Sequence, residues 1–222
     1  MRLALFDLDH TLIPLDSDYA WGEFTVSLGW RDAQGFSQAN AGFYADYKAG
    51  TLDIHHYVRF AIEAVRERGM AVAQKAHDRF MREVIEPVMR EPARALLRRH
   101  QAAGDQVVIV TATNEFVTRP IARAFGVDEL IAIELERDAR GEPTGAIRGT
   151  PSFREGKIAR VEQWLAARGL DWSRVQHSTF YSDSINDLPL LEKVNEPVAT
   201  NPDARLRAIA LERGWRTLNL FE

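Results

Sequence analysis

Four short stretches of the chain read as uninterrupted apolar runs: Leu3–Phe6, Val107–Val110, Thr179–Tyr181 and Pro197–Ala199. Continuous rather than alternating hydrophobicity predicts strands buried on both faces, as in a parallel sheet. Helical periods lie between and after them. "EPARALLRRHQAAG" places Pro92 in a first turn and Gly104 at a stop. "REGKIARVEQWLAARG" puts Ile158, Val161 and Leu165 on one face and ends at Gly169. "INDLPLLEKV" and "ARLRAIALERG" follow the last two runs. Strand–helix alternation of this kind predicts an open α/β sheet with right-handed crossovers. "ELIAIELERDARGEPTGAI" alternates around a Gly–Glu–Pro turn and predicts a small hairpin appendage.

The first and second runs are about ninety residues apart, far more than one crossover needs. From Ser17 to roughly Pro87 the pattern is helical. Ile54, Val58, Ile62 and Val65 form one stripe, and Val72, Ala76, Phe80 and Val84 recur every fourth residue. The aromatics Trp21, Phe24, Phe43, Tyr44 and Tyr47 are expected to fill the core of this segment. The expected architecture is α/β, a Rossmann-like open parallel sheet formed by residues 1–15 and 89–222, with residues 16–88 inserted as a helical cap. Such a cap would cover the carboxyl ends of the strands, where open α/β sheets bind ligands.

Composition narrows the function without naming it. The chain has 222 residues, 45% of them hydrophobic and 27% charged, and a formal charge of −4. With no broad basic field, nucleic acid and anionic membrane are not expected partners. The absence of cysteine excludes disulfides, thiolate nucleophiles and zinc–thiolate sites and suits a cytoplasmic protein. Leu3–Leu8 is too short for a signal peptide and is broken by Asp7. No run approaches the roughly 20 apolar residues of a membrane span.

The chemistry-bearing residues cluster at predicted strand tips. The first run ends in Asp7 and Asp9, the second in Thr111, and the third leads into Asp183 and Asp187; Lys157 opens the preceding helix. Two carboxylates at one strand tip repel each other unless something binds there or one stays protonated. Taken alone, the first pair also fits a polar loop. Taken with the other tips, it fits a hard cation such as Mg²⁺, which takes oxygen ligands and shares them with phosphate and water. Lysine and the threonine hydroxyl would then hold phosphate oxygens.

The ordered set Asp-x-Asp-x-Thr, strand-end Thr, Lys and Asp-Ser-x-x-Asp resembles the haloacid dehalogenase-like superfamily of phosphohydrolases. An insertion placed directly after the first motif is similar to the phosphoserine phosphatase branch, as is "EPVATNPDARL" after the last. The resemblance implies a mechanism. Asp7 would be the nucleophile that forms an aspartyl-phosphate, and Asp9 the acid for the leaving alkoxide and then the base for water. Mg²⁺ would be held by Asp7, the Asp9 backbone carbonyl and Asp183, with Asp187 assisting through water or Lys157. Asp16, Ala112 and Asn186 are read as substrate-binding. The implied substrate is a small phosphomonoester, phosphoserine-like or histidinol-phosphate-like, acted on by a monomer or homodimer. A phosphotransferase or phosphomutase keeps both aspartates. A phospho-aspartate signalling switch shares Asp, Mg²⁺, Thr and Lys but lacks the second acid and the long insertion.

Two departures from the family pattern stand out. Ser182 and Ser184 occupy positions where phosphoserine phosphatases commonly carry glycine. Asp16 stands where they place a glutamate for the substrate ammonium, and it reads equally as a helix cap. His10 either lines the pocket or tolerates a turn. His55 and His56 point about 100° apart on a helix, which disfavours a shared metal.

Overall fold

The four apolar runs become neighbouring strands because each can bury both faces only inside a sheet. The computed structural model describes residues 1–221. Its strands are β1 (Arg2–Phe6), β2 (Gln106–Asn114), β3 (Leu130–Ile133), β4 (Leu135–Arg137), β5 (Pro143–Ile147), β6 (His177–Ser182), β7 (Glu196–Thr200) and β8 (Arg216–Leu218). Six of them form one sheet in the order β3-β2-β1-β6-β7-β8, all neighbours parallel. Phe6 pairs with Ile109 on one side and Tyr181 on the other, so Asp7, Thr111 and Asp183, each one or two residues further on, fall side by side. That register brings the three motif-bearing tips to one edge of the fold.

Helices cover both faces. From the amino terminus they are α1 (Ser17–Ser27), α2 (Ala33–Ala49), α3 (Ile54–Ala61), α4 (Glu63–Arg68), α5 (Met70–Phe80), α6 (Glu91–Ala102), α7 (Glu115–Ala124), α8 (Glu155–Ala166), α9 (Leu188–Lys193) and α10 (Ala204–Glu212). Alternation along β1 sends Leu3 and Leu5 to a core with Val161 and Leu165 of α8, Leu190 of α9 and Leu206 of α10. Ala4 and Phe6 face the opposite core, which takes in Leu97 of α6 and Val117 of α7 and continues into Trp21, Val58, Ile62 and Phe80. The helical segment between β1 and β2 therefore packs on the same apolar mass as one face of the sheet.

Several expectations need correction. "ELIAIELERDARGEPTGAI" is not one appendage: β3 joins the main sheet, and only β4 and β5 pair antiparallel as a hairpin. No turn residue separates β3 from β4, so their boundary carries no local signal. β8 was not expected either; its three residues lack an apolar run and sit at an edge. The stripe through Val72 is displaced. Val72 is exposed, while Ala73, Ala76 and Phe80 are buried. A π-helical turn at Met81–Ile85 then shifts the phase so that Met81 and Ile85 face inward. Among the five aromatics, Trp21 and Phe24 are core, whereas Tyr44 is exposed.

Candidate active site

Asp7 follows β1 directly, and its backbone N–H donates to the Tyr181 carbonyl at 2.9 Å, extending the sheet by one rung. Its carboxyl is met by Lys157, whose Nζ donates to Asp7 Oδ1 at 2.8 Å and to Asp187 Oδ2 at 2.7 Å. Lys157 is only 2% exposed, so these bonds act with little solvent screening. Gly156 makes the approach possible. A Cβ there would lie 2.1 Å from the Pro151 carbonyl oxygen, so only glycine lets the start of α8 close on that loop.

Thr11 ties the first tip to β6. Its hydroxyl reaches Asp183 Oδ1 at 3.1 Å and accepts the Asp183 N–H at 3.0 Å. The two serines that stand in place of glycine take defined roles. Ser182 Oγ donates to Asp187 Oδ2 at 2.7 Å and accepts the Ser184 N–H at 3.2 Å. Ser184 Oγ accepts the Asn186 N–H at 3.2 Å. Hydroxyls bonding to nearby backbone are turn-formers, so this loop keeps its shape without glycine.

Asp9 faces elsewhere. Its Oδ1 accepts the Ser17 N–H at 2.9 Å and its Oδ2 accepts Thr113 Oγ1–H at 2.8 Å. Thr111, two positions earlier on β2, is buried; its Oγ1 accepts the Thr113 N–H at 3.1 Å, and its carbonyl accepts Ser152 Oγ–H at 2.6 Å.

Electrostatics separate these carboxyls. Burial pushes Asp7 up to about 7, with Asp187 and Asp9 adding to the rise against the pull of Lys157. Burial also pushes Asp9 up to about 6, helped by Asp16 and opposed by its Ser17 and Thr113 bonds. Asp183 is held well above the carboxylate range by burial, then by Asp7 and Asp187. For Lys157, burial favours the neutral amine, but Asp187 and Asp7 outweigh it and hold the ammonium above its ordinary value. One buried ammonium is thus bonded to two carboxyls, Asp7 and Asp187, whose charge also acts on a third, Asp183.

That excess of negative charge, set among oxygen donors, fits a hard divalent cation. Among the described residues no three His, Cys, Asp or Glu side chains form a ready-made metal cage. The geometry explains this: Asp9 is turned to Ser17 and Thr113, and Asp187 Oδ2 is taken by Lys157 and Ser182. Asp7 and Asp183 remain as the carboxylates able to face a cation. Mg²⁺ usually uses only one or two from the protein.

Comparison with known proteins now bears on this arrangement. A family model for haloacid dehalogenase-like hydrolases matches residues 4–192. The chain belongs to this hydrolase family. It is 44% identical over 218 residues to a histidinol-phosphatase of Neisseria meningitidis, covering 98% of each chain. It is 34% identical over 215 residues to a phosphoserine phosphatase of Mycobacterium tuberculosis, covering 96% of this chain and 68% of that one. A crystal structure of a protein of unknown function from Bordetella pertussis superposes with a TM-score of 0.93 at 48% identity, covering 99% of each chain. The chain is an enzyme of the phosphoric monoester hydrolase class.

In this haloacid dehalogenase-like hydrolase, other residues singled out in the sequence fall less centrally. Asp16 caps α1, its Oδ1 accepting the Tyr19 N–H at 2.9 Å. His10 is exposed with a left-handed backbone, φ 55°, and serves the turn. His55 and His56 are exposed on α3. Ala112 lies half-buried at the β2 tip. Asn186 accepts from Arg154 at 3.5 Å. Sequence reasoning missed Thr113 as an Asp9 partner, although its spacing of two from Thr111 puts both on one side of β2. It also missed Tyr47, whose hydroxyl lies 2.9 Å from Ser184 Oγ and bridges α2 to the β6 loop. No local pattern announces that bridge.

Proposed function

We propose that this hydrolase is a Mg²⁺-dependent phosphatase of a small amino-alcohol phosphate, acting through an aspartyl-phosphate on Asp7. The observation that carries the reading is the division of labour between two acids on one strand tip. Asp7 is bonded to an ammonium, and Asp9 to two neutral donors. The first arrangement favours a carboxylate nucleophile; the second leaves Asp9 without a cationic partner, which favours a proton shuttle.

The chemistry then runs in two steps. An Asp7 carboxylate oxygen attacks phosphorus in line, and the P–O bond to the leaving alcohol breaks. The departing oxygen takes its proton from Asp9. In the second step Asp9 takes a proton from water, whose oxygen attacks the acyl phosphate. Inorganic phosphate leaves and the Asp7 carboxylate is restored. Lys157 offsets the repulsion between Asp7 and the anionic phosphate, while Thr111 and the loop N–H groups near Ala112 hold its oxygens. Mg²⁺, held by Asp7, Asp183 and the Asp9 backbone carbonyl, with Asp187 acting through Lys157, would supply further charge neutralisation.

The substrate class rests on two supports. The relatives named above act, by name, on histidinol phosphate and phosphoserine, both amino-alcohol phosphates. Asp16, which acts on Asp9, also lines an open groove of about 440 Å³ with Leu15, Tyr19, Glu23 and Phe24. Two carboxylates on an apolar wall suit a cationic organic leaving group. Residues 16–88 would act as a cap over residues 1–15 and 89–222, with Tyr47 as one closing contact. We place the enzyme in the cytoplasm with its soluble substrate, as a monomer or homodimer. No described helix is long and apolar enough to cross a membrane.

The test is phosphate release from histidinol phosphate, phosphoserine and p-nitrophenyl phosphate with Mg²⁺, for wild type and Asp7→Asn. Turnover of at least one ester, lost in the variant by more than about a thousandfold, is expected. Full activity in Asp7→Asn overturns the nucleophile assignment, and phosphate appearing on an added alcohol instead of water identifies a transferase.

A further inference from the structure

The two donors that hold Asp9 come from different elements: Ser17 from the first turn of α1, Thr113 from the tip of β2. The next residue along each element is Asp18 and Asn114. These two are joined, Asn114 Nδ2 donating to Asp18 Oδ1 at 2.9 Å. The bond is buried, with Asp18 5% and Asn114 1% exposed. The amide cannot turn round, because Asn114 Oδ1 accepts the Phe116 and Val117 N–H groups at 3.1 and 3.3 Å as the cap of α7.

Asp18 is a costly residue to bury. Burial, then Asp16 and Asp9, hold its carboxyl well above the carboxylate range, against the smaller opposing effects of Tyr57 and Arg31. Tyr57 of α3 stands beside it, its phenol held up by burial and then by Asp18. A carboxylate kept at that cost, one residue from each Asp9 donor, calls for a reason other than stability.

We infer that the Asp18–Asn114 bond is a clip that positions Asp9 for proton transfer to the leaving group. Both are positioning residues: they hold α1 against β2 so that the Ser17 N–H and the Thr113 hydroxyl keep a fixed separation around the Asp9 carboxyl. Proton transfer needs heavy atoms within about 2.6–3.2 Å, and a misplacement near 1 Å costs on the order of a hundredfold. The inference rests on the reading of Asp9 as the leaving-group acid.

Two esters separate this role from a merely structural one. Histidinol phosphate releases an alkoxide that must be protonated; p-nitrophenyl phosphate releases a phenolate that need not be. In Asp18→Ala, kcat/KM is expected to fall about 30- to 100-fold for the first ester and no more than about threefold for the second. Asp18→Asn keeps an acceptor for Asn114 and recovers most of that loss. Asn114→Ser keeps a cap for α7 but cannot reach Asp18; it reproduces the selective loss, and the double variant Asp18→Ala/Asn114→Ser loses no more than either change alone. If Asp18→Ala fails to fold, Asn114→Ser carries the comparison. Equal losses on both esters overturn the clip. So does an Asp18→Asn variant as impaired as Asp18→Ala, which would assign the effect to the carboxylate's charge. A wild type that hydrolyses none of histidinol phosphate, phosphoserine and p-nitrophenyl phosphate removes the phosphatase reading and the clip with it, an outcome distinguished by inactivity before any substitution.

Discussion

Lys157 and Asp7 lie 150 positions apart in the chain and are joined by a buried hydrogen bond of 2.8 Å. The same ammonium donates to Asp187 at 2.7 Å, so one cation links the first strand tip to the last motif. Breaking a buried pair leaves uncompensated charge, which typically costs about 3–5 kcal/mol. Lys157→Met is expected to lose that much stability at pH 8, along with most activity. Because burial already lifts Asp7 to about 7 in the intact protein, part of the loss returns as pH falls and Asp7 takes up a proton in the fold. Urea unfolding of wild type and variant at pH 8 and pH 5.5 measures both effects; a deficit that does not shrink at lower pH contradicts this account.

Cation binding should be visible without turnover. Asp7 and Asp183 both hold their protons too tightly for surface carboxylates, chiefly because they are buried. A divalent cation that relieves their repulsion binds the folded state alone and stabilises it, by about 2.7 kcal/mol at a hundredfold excess over Kd. Mg²⁺ is expected to raise the melting temperature of wild type but not of Asp183→Asn. An identical rise in both proteins removes Asp183 from the cation site.

Gly156→Ala tests the packing that delivers Lys157. The new methyl would meet the Pro151 carbonyl oxygen at 2.1 Å, a contact that only backbone movement can relieve. Overpacking of this kind costs about 1–3 kcal/mol. The displaced turn carries the next residue, Lys157, so activity is expected to fall at least about tenfold even where the variant remains folded by circular dichroism. A fully active Gly156→Ala would mean that the loop yields freely.

His77 gives a stability prediction remote from the site. It is fully buried between Trp21, Phe80 and Phe116, and its Nε2 lies 3.1 Å from the Val117 carbonyl. Burial lowers its pKa from 6.5 to about 4, against the smaller effects of Val117 and Asp78. Folding keeps His77 neutral where the unfolded chain would bind a proton. Its contribution is whole above pH 6.5 and drains as pH falls toward about 4, by on the order of 3 kcal/mol. His77→Phe keeps the apolar contacts and should flatten that part of the profile in urea titrations between pH 4 and pH 7.

Much of the proposed catalytic set could be read from sequence because each member is announced locally. Asp7 and Asp9 follow an apolar run, Thr111 ends another, and Lys157 follows a glycine at a helix start. Thr113 was equally legible by its spacing of two, and was passed over. Asp16 shows the opposite case. Its position allowed both a helix cap and a substrate contact, and only the folded geometry shows its oxygen on the Tyr19 N–H. β8 and the boundary between β3 and β4 were invisible because an edge strand needs little apolar sequence and a bent one needs no turn residue.

Hydrophobic patterns are properties of neighbouring residues, so the sequence by itself determined four of the six parallel strands, most of the helices and the placing of the acids just past strand ends. Which donor meets which acid is a property of register and packing. Tertiary structure alone turned Asp9 toward Ser17 and Thr113, set Asp187 behind Lys157, and joined Asp18 to Asn114 across 96 positions. A hydrogen bond depends on distances of tenths of an ångström, and no local pattern carries that information between segments so far apart.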